Sequence, residues 1–128
     1  TNAQAAEQAL RAFPNAFWIV GGRPKEEGID DLAPYFPQIR KAYLIGESTE
    51  AFARTLAGKV EAAKSRTLDV AVEAAFTDAR TSGVSNPVIL FSPACASFDQ
   101  FRDFEQRGEA FRQAATQLVR RRSPTEPA

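Results

Sequence analysis

The sequence predicts an α/β domain of Rossmann-like architecture, a mostly parallel sheet with helices on both faces. Three observations point there. Apolar runs of strand length at 16–20, 42–45 and 88–91 show no polar alternation, as in strands covered on both sides. The segments between them carry apolar residues every three or four positions, the spacing of one helix face. Glycine, proline and asparagine punctuate the junctions, so strands and helices alternate and the connections are crossovers.

The elements follow in order. Asn2 is a good N-cap, and Ala6, Ala9, Leu10 and Phe13 repeat at helical spacing until Pro14-Asn15 stops the helix. Ala16-Phe17-Trp18-Ile19-Val20 is a buried strand ended by Gly21-Gly22. Residues 32–36 make a short helix broken by Pro34 and Pro37, and 42–45 form a second apolar strand closed by Gly46. Ser48 caps a helix with Ala51, Phe52 and Leu56 on its inner side. The stretch 60–65 is ambiguous and is read as a short strand. Thr67 caps a long helix with Leu68, Val72, Ala75, Phe76 and Ala79 on one face. Ser82-Gly83 and Asn86-Pro87 punctuate its end, and 88–91 is the clearest buried strand. A last helix is predicted over about 98–121, with Phe101, Phe104, Gly108, Phe111, Ala115 and Leu118 as its buried stripe. Residues 1–122 thus read as one domain and 123–128 as a frayed tail.

Composition narrows the function classes. A chain of 128 residues, 44% hydrophobic and 25% charged, suits a single core. Sixteen basic and sixteen acidic residues cancel, so no global field draws the chain to nucleic acid or an anionic membrane. The run Arg120-Arg121-Arg122 closes a helix, where cations offset the dipole. With no apolar stretch near the roughly 20 residues of a membrane span and no signal-peptide pattern, a soluble, cytoplasmic domain is expected. The single cysteine fits a reducing compartment. A start at Thr1 and the lack of any methionine suggest a piece of something longer.

Histidine is absent, which excludes a Ser-His-Asp triad, a Cys-His dyad and a His-rich metal site within the chain. Cys95, between Ala94 and Ala96, has no imidazole to activate it and reads as a small buried hydrophobe. One thiol cannot build a zinc site, so neither a catalytic residue nor a metal site is assigned.

Ligands of such sheets lie at the carboxyl ends of the strands, here the loops 21–25, 46–48 and 92–97. Gly21-Gly22-Arg23-Pro24-Lys25 is neither a dinucleotide fingerprint nor a P-loop, so no complete nucleotide site is encoded. Lys25 reads either as a solvated surface charge or as a cation for the crevice. Ser97 with Gln100 forms a capping box, and the amides at that helix start would also favour a carboxylate or phosphate. Phe104 lies on the apolar stripe and reads as core.

The run Phe91-Ser92-Pro93-Ala94-Cys95-Ala96-Ser97-Phe98-Asp99-Gln100-Phe101, followed by Phe104-Glu105-Gln106-Arg107-Gly108, closely resembles the C-terminal signature of the D-glutamate-adding Mur ligases. Gly21-Gly22 with Lys25 resembles that family's glycine-lysine loop, and Thr1-Asn2 the end of its Asp-Ser-Lys-Ala-Thr-Asn segment. The resemblance covers nearly the whole chain apart from the tail. It implies the third domain of a ligase whose other two domains hold the UDP-sugar and ATP with magnesium. In that family ATP phosphorylates the carboxylate of UDP-N-acetylmuramoyl-L-alanine, the D-glutamate amine attacks the acyl phosphate, and the tetrahedral intermediate collapses to an amide.

Carried over by position, the resemblance implies that Lys25 and Ser97 hold D-glutamate carboxylate oxygens, that Thr1 contributes nearby, and that Phe104 contacts substrate through its backbone or ring. ATP and magnesium would be bound mainly by the absent domains, and the isolated domain is expected to be inactive. The family loop often has an acidic residue and a glycine before the lysine, where this chain has Arg23 and Pro24. Two other readings compete: a folylpolyglutamate-synthase-type ligase domain, against which the Ser-Pro-Ala-Cys-Ala-Ser run argues, and a free-standing module binding a small carboxylate or nucleotide.

Overall fold

The computed structural model describes residues 3–23, 28–94 and 111. Helix α1 (Ala3–Ala12) leads into strand β1 (Phe17–Gly21), and a 3-10 helix (Asp30–Gln38) leads into β2 (Lys41–Ile45). A 3-10 turn (Gly46–Ser48) passes into α2 (Thr49–Leu56), followed by β3 (Ala62–Arg66), α3 (Leu68–Thr81) and β4 (Ile89–Phe91). The strands form one sheet in the order β3-β2-β1-β4, and every neighbouring pair is parallel.

All five residues of β1 are buried, because alternate side chains enter two different cores. Trp18 and Val20, with Ala42 and Leu44 beside them on β2, face Ala6 and Leu10 of α1, Leu32 and Phe36 of the 3-10 helix, and Phe52 and Leu56 of α2. Phe17, Ile19, Tyr43 and Ile45 face Leu68, Ala71, Val72, Ala75 and Ala79 of α3. The Rossmann-like α/β architecture read from the sequence is therefore present, with helices on both faces. Each fully buried aliphatic or aromatic side chain contributes about 1.5–3 kcal/mol, so the two strands shared by both cores carry much of the stability. The polar atom of the buried Trp18 is satisfied, its indole Nε1 donating to the Ser92 carbonyl at 2.9 Å.

The structure also revises several expectations. The helix expected over 32–36 is a nine-residue 3-10 helix containing both Pro34 and Pro37; proline cannot donate to an α-helical ladder, and the tighter winding accommodates it. Phe13 lies beyond the last turn of α1 and is 43% exposed, not part of the buried face. The third strand starts later than expected and alternates exposed with half-buried residues, as successive side chains point to opposite faces; among the described residues it is an edge strand. Val60 packs into the core ahead of it. The strand over 88–91 is shorter, Ile89–Phe91, and half-buried, an edge strand among the described residues. Phe76 on α3 is half-buried, while the other four residues expected on that face are buried. Thr67 caps α3 as expected, its hydroxyl accepting the Val70 amide at 3.4 Å. Asn2, Cys95 and most of 98–121 lie outside the described residues. Phe111 of that span is helical, and its ring stands 4.9 Å from that of Phe91, tilted by 30°.

Candidate functional site

The strand order reverses at β1. β2 and β3 are laid down on one side of it and β4 on the other, so the carboxyl ends of β1 and β4 lie side by side at a switch point. Three loops meet at this switch point: 22–23 after β1, 46–48 after β2 and 92–94 after β4.

The end of β1 and the third loop are bonded to each other. The Gly21 amide donates to the Pro93 carbonyl at 2.9 Å, and the Ser92 amide donates to Ile19 O at 3.3 Å. Ala94 is 2% exposed and belongs to the core around Trp18. Its φ of 60° is a left-handed conformation unusual for a residue with a Cβ, held here by burial on a backbone already tied to β1.

The first and second loops are bonded as well. Ser48 is completely buried; its hydroxyl accepts the Gly22 amide at 3.1 Å and donates to Ile45 O at 3.3 Å, while its own amide donates to Gly22 O at 3.0 Å. The expectation that Ser48 caps α2 is thus corrected: no side-chain cap bond forms, because the hydroxyl is committed to the neighbouring loop. Gly21 has φ of +134°, and a Cβ there would stand 2.1 Å from Ile45 O. Only glycine permits this approach. At the rim, Arg23 and Glu47 form an ion pair at 3.7 Å, both about half exposed.

A further polar cluster lies at the opposite, amino-terminal end of the sheet. Lys41 Nζ and the Tyr43 hydroxyl donate to the same Asp78 carboxylate oxygen at 3.0 and 2.7 Å, beside a depression of about 210 Å³ lined by Phe17, Arg40, Glu61 and Ser82 among others. The hydrogen bond from Tyr43, followed by that from Lys41, holds the Asp78 carboxyl below the usual carboxylate range against the opposing effect of burial. Burial first, and then Asp78, pushes the Tyr43 phenol far up. These groups satisfy one another and tie β2 to α3.

The four residues assigned to a D-glutamate site, Thr1, Lys25, Ser97 and Phe104, lie outside the described residues. What the structure brings together is the chain before Lys25 and the chain before Ser97, through Gly21 and Pro93. Ser48 was missed as part of this junction. Its only sequence signal is a small polar residue two positions after the glycine that closes a strand, which reads equally as a cap. Among the described residues no group of three or more His, Cys, Asp or Glu is placed to hold a metal ion, and no helix is long and apolar enough to cross a membrane.

No family model matches the chain. Individual relatives do. UDP-N-acetylmuramoylalanine–D-glutamate ligases from two strains of Rhodopseudomonas palustris are 58% and 60% identical over 118 residues, 92% of this chain and 25% of each relative. The protein of that name from Caulobacter vibrioides is 58% identical over 119 residues, 93% of this chain and 25% of its own length. None of these carries the name of a folylpolyglutamate synthase, the competing ligase reading. The chain spans about a quarter of the length of the curated relatives it matches. Over more than nine-tenths of its length, and at 55–60% identity, the chain is similar to the C-terminal quarter of UDP-N-acetylmuramoylalanine–D-glutamate ligases.

Proposed function

We propose that this chain is the amino-acid-presenting domain of an ATP-dependent ligase that joins D-glutamate to UDP-N-acetylmuramoyl-L-alanine, and that residues 1–122 form that domain. One observation supports the assignment of the site: at the switch point the last residue of β1, four positions before Lys25, is bonded to the loop that leads toward Ser97, Gly21 amide to Pro93 carbonyl at 2.9 Å. Two sequence-distant segments, each ending at a residue suited to an anion, are thereby anchored side by side.

In this reading the Lys25 ammonium and the Ser97 hydroxyl bind the carboxylates of D-glutamate, with Thr1 and Phe104 as further contacts. Holding both ends of a short dicarboxylate fixes the direction of its amine, which must reach the acyl carbon of the second substrate unprotonated. Such orientation replaces a bimolecular encounter by a positioned one. The chain carries no P-loop. Nucleotide and metal are assigned mainly to the part of the relatives that this chain does not span, as is the UDP-sugar. The cytoplasm, where both nucleotides are available, is the assigned compartment.

The test is made in the full-length ligase carrying this chain. A charge-assisted hydrogen bond contributes about 1.5–3 kcal/mol, so Lys25→Ala should raise KM for D-glutamate by about 10- to 150-fold, and KM for ATP and the UDP-sugar far less. An equal rise in all three constants would assign Lys25 to domain closure, and no rise at all would remove it from the site. Ser97→Ala needs a stability measurement alongside, because it also removes a predicted helix cap worth about 1 kcal/mol.

A further inference from the structure

The register of β1 against β2 ends at Gly21 and Ile45. Gly22 is the next residue, with no ladder partner, yet it is buried and both its backbone groups are bonded to one amino acid. Ser48 accepts the Gly22 N–H on its hydroxyl at 3.1 Å and gives its own N–H to the Gly22 carbonyl at 3.0 Å. The clasp extends the β1–β2 connection one residue past the sheet, across 26 positions of sequence. The serine rotamer is itself fixed, since the hydroxyl proton goes to Ile45 O at 3.3 Å. The approach of β1 to β2 depends on Gly21, where a Cβ would stand 2.1 Å from Ile45 O and 2.9 Å from Ser48 Oγ.

We infer that Ser48 is a positioning residue for amino-acid binding. It fixes the backbone of Gly22, and with it the direction in which the chain leaves β1 toward Lys25, three positions on. A hydroxyl with no exposure and every bond directed into the protein touches no substrate; it acts through the loop it holds. Threading the clasp through a side chain, rather than through another ladder pair, allows β2 to turn into α2 directly while β1 still receives a partner. The inference rests on the reading of Lys25 as a D-glutamate ligand.

The experiment is a double-mutant cycle in the full-length ligase, with thermal unfolding followed on every variant. Ser48→Ala should raise KM for D-glutamate by about three- to tenfold, the size expected for one buried hydrogen bond, and leave KM for ATP and the UDP-sugar within about twofold. In a Lys25→Ala background the same substitution should raise it less than about twofold further, since the group it positions is gone. Ser48→Cys fills the same space with a poor hydrogen-bonding group and should resemble Ser48→Ala; it replaces that variant if the alanine protein does not fold. Multiplying effects of Ser48 and Lys25, or a wild-type KM in Ser48→Ala or Ser48→Cys while Lys25→Ala is impaired, would overturn the inference and leave the Lys25 reading intact. An unchanged KM in Lys25→Ala would instead overturn that reading, and the inference with it.

Discussion

The Tyr43 hydroxyl donates to Asp78 Oδ2 at 2.7 Å, joining the middle of β2 to the third turn of α3 across 35 positions of sequence. Tyr43 is fully buried and Asp78 accepts from Lys41 as well, so a single carboxylate oxygen serves a phenol and an ammonium. The tyrosine ring packs in the α3 core while its one polar atom finds its partner at the rim. Lys41 also stands 5.5 Å from the centre of that ring.

This cluster predicts a stability plateau with edges on both sides. Asp78 is more acidic in the folded chain than its ordinary 3.8, so its contribution is complete above that value and is lost as pH falls through the lowered pKa. Lys41 and Tyr43 are raised from 10.5 and 10.0, so their contributions are complete below those values and are lost as pH rises past them. Asp78→Ala should cost about 1–3 kcal/mol near neutrality by orphaning the Tyr43 hydroxyl, and should flatten the acid edge. Urea unfolding at a series of pH values checks both; an acid edge as steep in Asp78→Ala as in the wild type would show that another carboxylate controls it.

Gly21 and Gly58 separate conformational strain from steric exclusion. Both have positive φ, +134° and +75°, but a Cβ at Gly58 meets nothing within 4 Å whereas at Gly21 it meets a carbonyl oxygen. Gly58→Ala should cost about 1–2 kcal/mol, the left-handed penalty alone, and Gly21→Ala clearly more. Denaturant midpoints of the two variants decide it, and equal losses would mean that the β1–β2 loop junction yields easily.

The isolated chain should unfold cooperatively, because each face of its sheet has its own helix-covered core. It should also show no ATP-dependent amide formation, since it carries no P-loop and spans a quarter of the relatives' length. Calorimetry and a phosphate-release assay on the purified chain test the two halves. Turnover near that of an intact ligase would place the missing chemistry within these residues.

Much of the fold follows from local sequence. The continuous apolar run of β1 can only be a strand covered on both sides, and Thr67 caps α3 because a hydroxyl three residues before an amide is a purely local geometry. The glycine stop is equally local, with Gly21 the last residue of β1 and Gly22 the first beyond it, since a backbone at such positive φ selects glycine. The family resemblance was legible too, in the run from Phe91 to Gly108, and it alone singled out Lys25 and Ser97, which periodicity leaves as a surface lysine and a helix cap.

What only the tertiary structure decided is where long-range partners fall. Ser48 has the local credentials of a helix cap, yet a glycine amide 26 positions earlier takes its hydroxyl, because the parallel pairing of β1 and β2 brings that amide to 3.1 Å. The edge character of β3 and β4 among the described residues depends on strand order, which no stretch of five residues encodes. The same order sets the carboxyl ends of β1 and β4 side by side, so the meeting of their loops is a property of topology, while the residue types on those loops were written in the sequence. Propensities and caps act over a few positions; hydrogen-bond competition and strand order are settled only when distant segments meet.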